Sequence, residues 1–320
     1  MKPVTRRDAL KAAAAAVGCS VAFAKASQPA TPVNFAVPAG ACDCHTHIFA
    51  DPKQYPLSPN RVYTPETALP AEMSALHRAL HVERVVIVTP SIYGTDNAAT
   101  LYGMKARGAT ARGVAVIGDK TSEAELDAMH RAGIRGIRIN LVQAGQSDPT
   151  LSRRLFEAAI ARAKRQNWHL QMYTTLDVIS AIKDLVQRAP VPVVFDHFGG
   201  AQAALGLQQQ GFPDLLDLVR SGKAYVKISG AYRASMQAPD YPDVEPFAQA
   251  LISANPDRIV WGTDWPHPDS AILPDRKSTD LAPLLQIDDG RLLNLLPIWA
   301  PDAGVRKKIL VDNPARLYEF

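Results

Sequence analysis

The chain has 320 residues, 47% hydrophobic and 21% charged, an ordinary globular balance that excludes a disordered or fibrous protein. Its formal net charge of +4 lies in the first 26 residues, where Lys2, Arg6, Arg7, Lys11 and Lys25 face only Asp8. The remainder is balanced, so no nucleic-acid surface is expected, and past the N-terminus no apolar run reaches the ~18 residues of a membrane span.

Thr5-Arg6-Arg7-Asp8 precedes an Ala-rich apolar stretch through Phe23, with small-residue cleavage sites at Ala22-Phe23-Ala24 and Ala24-Lys25-Ala26. Paired arginines ahead of such a stretch resemble a twin-arginine export signal, which is a receptor-read address and not an anchor. An N-terminal amphipathic helix is the local alternative, disfavoured by Lys25 and the Pro-rich segment behind it. Residues 1–26 are therefore expected to be removed on export to the periplasm. Cys19 lacks the upstream leucine of a lipoprotein site. Residues 27–39 read as a Pro-rich linker, and residues 40–320 as one domain. Cys42 and Cys44, two apart on one strand, are poorly placed to bridge.

From residue 40, short β-branched runs alternate with helical stretches. Strands are expected at 41–47, 84–90, 113–117, 136–141, 169–174, 191–197, 225–229 and 259–263. Helices are expected at 70–81, 97–107, 123–132, 151–166, 176–188, 213–221 and 244–255, with a last pattern at 304–310. This alternation implies right-handed βαβ units and a parallel sheet. Eight units in this length predict an α/β fold: a single, distorted (β/α)8 barrel of the TIM type. The absence of a Gly-rich phosphate loop after the first strand lowers the doubly wound alternative. The long segments 50–69 and 268–303 are placed as loops over the C-terminal mouth.

Reactive groups in such a barrel gather at the C-terminal ends of strands. The first strand ends in Cys42-Asp43-Cys44-His45-Thr46-His47. Period-two alternation puts His45 and His47 on one face, with Cys44 and Thr46 on the other. Later ends bring Ser91, Arg138 and Asn140, Tyr173, Asp196-His197, Tyr232-Arg233 and Asp264. Packing alone does not explain polar residues ending apolar strands so regularly, because each desolvated group needs a partner. His169 lies early on its strand and is given a structural role.

These residues resemble the amidohydrolase superfamily in His45-x-His47, His197 and Asp264. Tyr63-Thr64-Pro65, Ser91-Ile92-Tyr93-Gly94, Arg135-Gly136-Ile137-Arg138, Asp196-His197-Phe198-Gly199 and Gly262-Thr263-Asp264-Trp265-Pro266-His267 narrow it. They are similar to the subgroup of 2-pyrone-4,6-dicarboxylate lactonase, sulfomuconolactone hydrolase and galactarolactone isomerase. The resemblance implies a lactonase of aromatic or sugar-acid catabolism acting on a small anionic lactone. It implies Asp264 as general base, with His45, His47 and His197 polarising the carbonyl. Arg138 and Arg233 fit a clamp on the substrate carboxylate, since guanidinium binds carboxylate in a fork. Tyr63, Ser91 and Tyr173 match substrate-contact positions.

The departures bear on metal and substrate. Arg138-Ile139-Asn140 stands where a binuclear site needs a bridging Lys or Glu, and Tyr173 where it needs His. The expected cofactor is none; the alternative is one zinc on His45, His47, His197 and Asp264. Val142-Gln143-Ala144-Gly145 lacks the basic residue the dicarboxylate lactonase carries after its fourth strand, which favours a lactone with a different or single acidic group. Isomerisation between lactones stays open, as does a monomer or a small homo-oligomer. A decarboxylase would want His at Tyr173, and a solute-binding protein would want two lobes.

Overall fold

The computed structural model describes residues 26–142, 148–271 and 275–320. Eight parallel strands follow one another in sequence order: β1 (Cys42–Thr46), β2 (Arg84–Val88), β3 (Ala111–Ala115), β4 (Ile134–Asn140), β5 (His169–Tyr173), β6 (Val193–Phe195), β7 (Ala224–Ser229) and β8 (Ile259–Gly262). Each lies within two residues of its expected bounds. Outside them run α1 (Pro70–Ala79), α2 (Ala98–Arg107), α3 (Glu123–Arg131) and α4 (Pro149–Arg165). The single helix expected at 176–188 breaks at Ile182 into α5 (Leu176–Ala181) and α6 (Lys183–Arg188), followed by α7 (Phe212–Arg220) and α8 (Glu245–Ala254). Local sequence sets the helix starts. Ser122 and Glu125 form a reciprocal capping box on α3, and Asp148 caps α4 ahead of Pro149.

Alternation along the strands divides the apolar residues between two clusters. Val85, Ile87, Leu170, Met172, Val226 and Ile228 pack outward into the helix layer. Val86, Val88, Val114, Val194 and Val260 form the interior cluster with Cys42, Cys44, Leu317 and Tyr318. The C-terminus thus fills the barrel floor. Polar inward positions, including Arg138, Gln171 and Lys227, form the layer above.

β1 departs from the expected alternation. Its pairing with β2 shifts register between Asp43 and Thr46. Cys44 joins the interior cluster, while the next residue, His45, also reaches inward to Asp196 and Asp264. A bulge allows two consecutive side chains to take one side.

The seam between β1 and β8 closes at its upper end. There the Asp264 N–H donates to the His45 carbonyl and the His47 N–H to the Trp265 carbonyl, each at 2.9 Å. Below, the Asp43 carboxylate bridges the strands. It accepts from the backbone N–H groups of His45 (3.1 Å) and Thr263 (3.0 Å) and from the Thr263 hydroxyl (2.6 Å), with His77 of α1 at 3.2 Å. Gly262 makes this approach possible, since a Cβ there would lie 2.7 Å from the His45 nitrogen.

The two long loop segments are more ordered than expected. Thr64–Pro65 pairs with Leu281–Ala282 as a parallel bridge across the mouth, and the second segment holds helical turns at Asp289–Leu293 and Leu296–Trp299. Residues 27–39 are docked along the barrel. The Trp265 indole donates to the Ser27 carbonyl at 3.1 Å, and Asp288 accepts from Thr31 N–H at 3.0 Å. The final pattern, Ala303–Lys307, continues through a π-helical turn into Asn313–Tyr318. The expected export signal, apart from Ala26, and Gln143-Ala144-Gly145 lie outside the described residues. Among the described residues no helix is long and apolar enough to cross a membrane.

Candidate active site

Asp264 follows β8 with φ of 68°, a region L side chains rarely adopt. The hydrogen bond from its N–H to His45 holds it there. Gly230, after β7, leaves room for the approach; a Cβ there would lie 3.2 Å from His197 Nδ1 and 3.3 Å from Asp264 Oδ2.

Three imidazoles converge on one oxygen of this carboxylate. Asp264 Oδ1 is 3.6 Å from His45 Nε2, 3.6 Å from His47 Nε2 and 3.8 Å from His197 Nε2. The other oxygen, Oδ2, accepts from the Tyr232 hydroxyl at 2.6 Å and from Arg233 Nε. Burial alone would raise the Asp264 pKa, but the Arg233 charge and the histidines outweigh it and hold the group well below the usual carboxylate range. Burial lowers the histidines, His45 strongly and His197 to about 4. The site is an ionised carboxylate facing neutral imidazoles.

The far nitrogens decide what each imidazole offers. His47 Nδ1 lies 2.7 Å from the Val88 carbonyl, so it donates there and neutral His47 presents a lone pair at Nε2. His197 Nδ1 is 3.0 Å from the Ser229 hydroxyl, which can donate to it and leave Nε2–H as a donor. His45 Nδ1 faces Asp196 Oδ1 at 3.2 Å.

Eight of the nine expected site residues meet around one cavity of about 10 Å³: His47, Tyr63, Ser91, Arg138, Tyr173, His197, Arg233 and Asp264. His45 lies behind, reaching it through Asp264. A wider cavity of about 600 Å³ shares Tyr173 and Arg233 and adds Tyr232, Met236 and Leu285. Tyr173 stands edge-on to His197, with ring centroids 5.0 Å apart.

Neither arginine has an acidic residue at its own strand end, and their partners come from other strands. Arg233 pairs with Asp264, and Arg138 lies 3.4 Å from Asp196 Oδ2 through both Nε and Nη2. His169 packs at the floor against Tyr318, centroids 5.1 Å apart, in keeping with a structural role. Sequence reasoning gave no role to Asp196, Gln171, Lys227 or Tyr232. For Lys227 and Gln171 the signal was present: each is a polar residue set between two apolar neighbours at an inward position of its strand.

The donor set fits one zinc ion. Among the described residues, His45 Nε2 and Asp264 Oδ1 are buried without a hydrogen-bond partner. Ligand atoms of His45, His47 and Asp264 lie within 4.8 Å of one another. The guanidiniums of Arg138 and Arg233 oppose a second cation.

Comparison with known proteins agrees with this geometry. A model of the amidohydrolase family matches residues 42–320. The chain is similar to 4-sulfomuconolactone hydrolase of Rhizobium radiobacter, 35% identical over 90% of this chain and 92% of that protein. It is also similar to 2-pyrone-4,6-dicarboxylate hydrolase of Comamonas testosteroni, 36% identical over 92% of this chain and 94% of that one. An apo structure from Agrobacterium tumefaciens matches with a TM-score of 0.75 at 28% identity, over 90% of this chain and 98% of the other.

Proposed function

Because the chain belongs to the amidohydrolase family, we propose that it hydrolyses carboxylated lactones with Asp264 as general base and no metal ion. The observation that carries this reading is the open oxygen of Asp264, faced by three imidazoles on the floor of a cavity that two arginines also line. Both relatives are named as hydrolases, one of a sulfo-substituted muconolactone and the other of a pyrone dicarboxylate.

In this reading a water rests on Asp264 Oδ1 and gives it a proton as its oxygen attacks the lactone carbonyl. The Nε2 lone pair of His47 holds the water's second proton and so aims its oxygen. His197 Nε2–H donates to the carbonyl oxygen as charge develops there. The ring C–O bond then breaks, and the released ring oxygen takes up the proton that Asp264 carries, restoring the carboxylate. Arg233, the more open guanidinium, keeps Nη groups for the substrate carboxylate while its Nε holds Asp264. Its charge and that of Arg138 already balance the buried carboxylates, which favours a reaction without metal.

The convergent lone pairs of His45 and His47 beside Asp264 favour a second reading, in which these three and, with its proton moved to Nδ1, His197 hold one zinc. Zinc bound there would polarise a water. A panel of carboxylated lactones with product identification, before and after chelation, tests both. Ring-opened acid formed at a chelator-insensitive rate supports the first reading. Activity lost on chelation and restored by zinc supports the second. A rearranged lactone as product would replace hydrolysis by isomerisation.

A further inference from the structure

Beneath the cavity lies a carboxylate that the reaction above leaves without a role. Asp196 follows β6 and is fully buried. Its Oδ1 lies at ion-pair distance from His45 Nδ1, 3.2 Å, and from Lys227 Nζ, 3.5 Å, with neither contact aligned as a hydrogen bond. Its Oδ2 is 3.1 Å from Gln171 Nε2 and 3.4 Å from both Nε and Nη2 of Arg138. Lys227 donates to the Cys44 carbonyl at 2.8 Å and to Gln171 Oε1 at 2.7 Å; its Nζ also lies 3.3 Å from His45 Nδ1, but with Asp196 Oδ1 these oxygens offer an acceptor to each of its three N–H groups. Two oxygens of one group therefore serve opposite sides of the site.

We propose that Asp196 is a positioning residue that couples His45, behind the general base, to Arg138, which faces the substrate. The charge of a carboxylate 3.2 Å from Nδ1 draws the proton to that nitrogen, so His45 turns its Nε2 lone pair toward Asp264 Oδ1 at 3.6 Å. When Oδ1 has taken the proton of the attacking water, that lone pair accepts a hydrogen bond from it. On the other side, 3.4 Å is long for a charge-assisted contact, which closes to ~2.7–2.9 Å when fully formed. Arg138 is thus steered by Asp196 while it lines the cavity. Movement of either partner is felt by the other through one buried group.

Asp196→Asn separates the two contacts, because an amide offers one acceptor and one donor. Its oxygen is expected to stay with Arg138 and Gln171, turning the NH2 toward His45. The imidazole 15N shifts of His45, measured on chelator-treated protein, should then change from Nδ1–H in the wild type to Nε2–H in the variant. An unchanged tautomer overturns the His45 half of the coupling, whatever the substrate proves to be. The Arg138 half rests on the lactonase reading and is read from a carboxylated lactone and its methyl ester. Asp196→Asn should raise KM for the acid relative to the ester by roughly tenfold, while kcat falls for both. Combined with Arg138→Met, it should change that ratio no further than Arg138→Met alone. Independent, additive effects, or equal effects on acid and ester, overturn it. If Asp196→Asn does not fold, Gln171→Met removes the amide that holds Oδ2 and should shift the same ratio in the same direction. A wild type that opens no lactone sinks the lactonase reading with the Arg138 half, and the tautomer still decides the other.

Discussion

The two oxygens of Asp264 do different things, and that asymmetry is the chemical core of the site. Oδ2 is held by Tyr232 and Arg233, whereas among the described residues Oδ1 faces three imidazole nitrogens and accepts no hydrogen bond. Asp264→Asn keeps shape and polarity but removes the base, and should slow turnover by ~10²–10⁴ with little change in stability. A fully active Asn variant would take the residue out of the mechanism. Because the Asp264 pKa is depressed, the carboxylate stays ionised above that value. The loss of kcat/KM on acidification that belongs to this group should therefore begin only below the ordinary carboxylate pKa of ~3.9. A fall with a midpoint near neutrality would assign the titration to another group. Arg138→Met should raise KM for an anionic lactone by an amount equivalent to ~1.5–3 kcal/mol. Arg233→Met should lower kcat as well, since it also frees Asp264 Oδ2. An unchanged KM in both variants would place the arginines outside substrate binding.

At the level of elements, the sequence carries most where a periodic signal ends in a polar residue. All eight strands, and the C-terminal ends that bring His47, Arg138, Tyr173, His197 and Asp264 together, were legible for that reason. The seam was not. Asp43 reads as one more residue of Cys42-Asp43-Cys44, and its partners at Thr263 are 220 positions away; alternation cannot name a partner at that distance. Nor could it foresee the register shift that turns Cys44 and His45 to the same side. Asp43→Ala strips acceptors from two buried N–H groups and a hydroxyl, each costing ~1–3 kcal/mol when left unpaired. Urea unfolding should show a loss of several kcal/mol, and a loss below ~1 kcal/mol would mean the seam closes without it. His169, at the start of β5, has its pKa lowered by burial to about 3. Between that value and the unfolded ~6.5 the unfolded chain binds the extra proton, so stability falls as pH drops through this window. The slope is up to ~1.4 kcal/mol per pH unit. His169→Phe should flatten the unfolding free energy across it, and an unaltered slope would exclude the residue.

For the molecule as a whole, the two ends of the described chain at residues 26 and 320 meet the barrel at different places. Leu317 and Tyr318 fill its floor, while the segment after Ala26 runs up to Trp265, beside Asp264. Cleavage near Ala26 would leave this docked strap as the new N-terminus. N-terminal sequencing of the native protein should find a start near residue 27 in the periplasmic fraction; an intact Met1 on the mature protein would contradict export. The substrate itself was least legible, because the motifs fix the strand ends that carry the site and not the segments between them that would meet the rest of a lactone. The most direct test of the central claim is identification of the product formed from a carboxylated lactone by wild type and by Asp264→Asn in H2 18O. The account predicts ring-opened acid with one 18O in the new carboxylate from the wild type, and ~10²–10⁴ less of it from the variant. A rearranged lactone without 18O, or equal yields from both proteins, would contradict it.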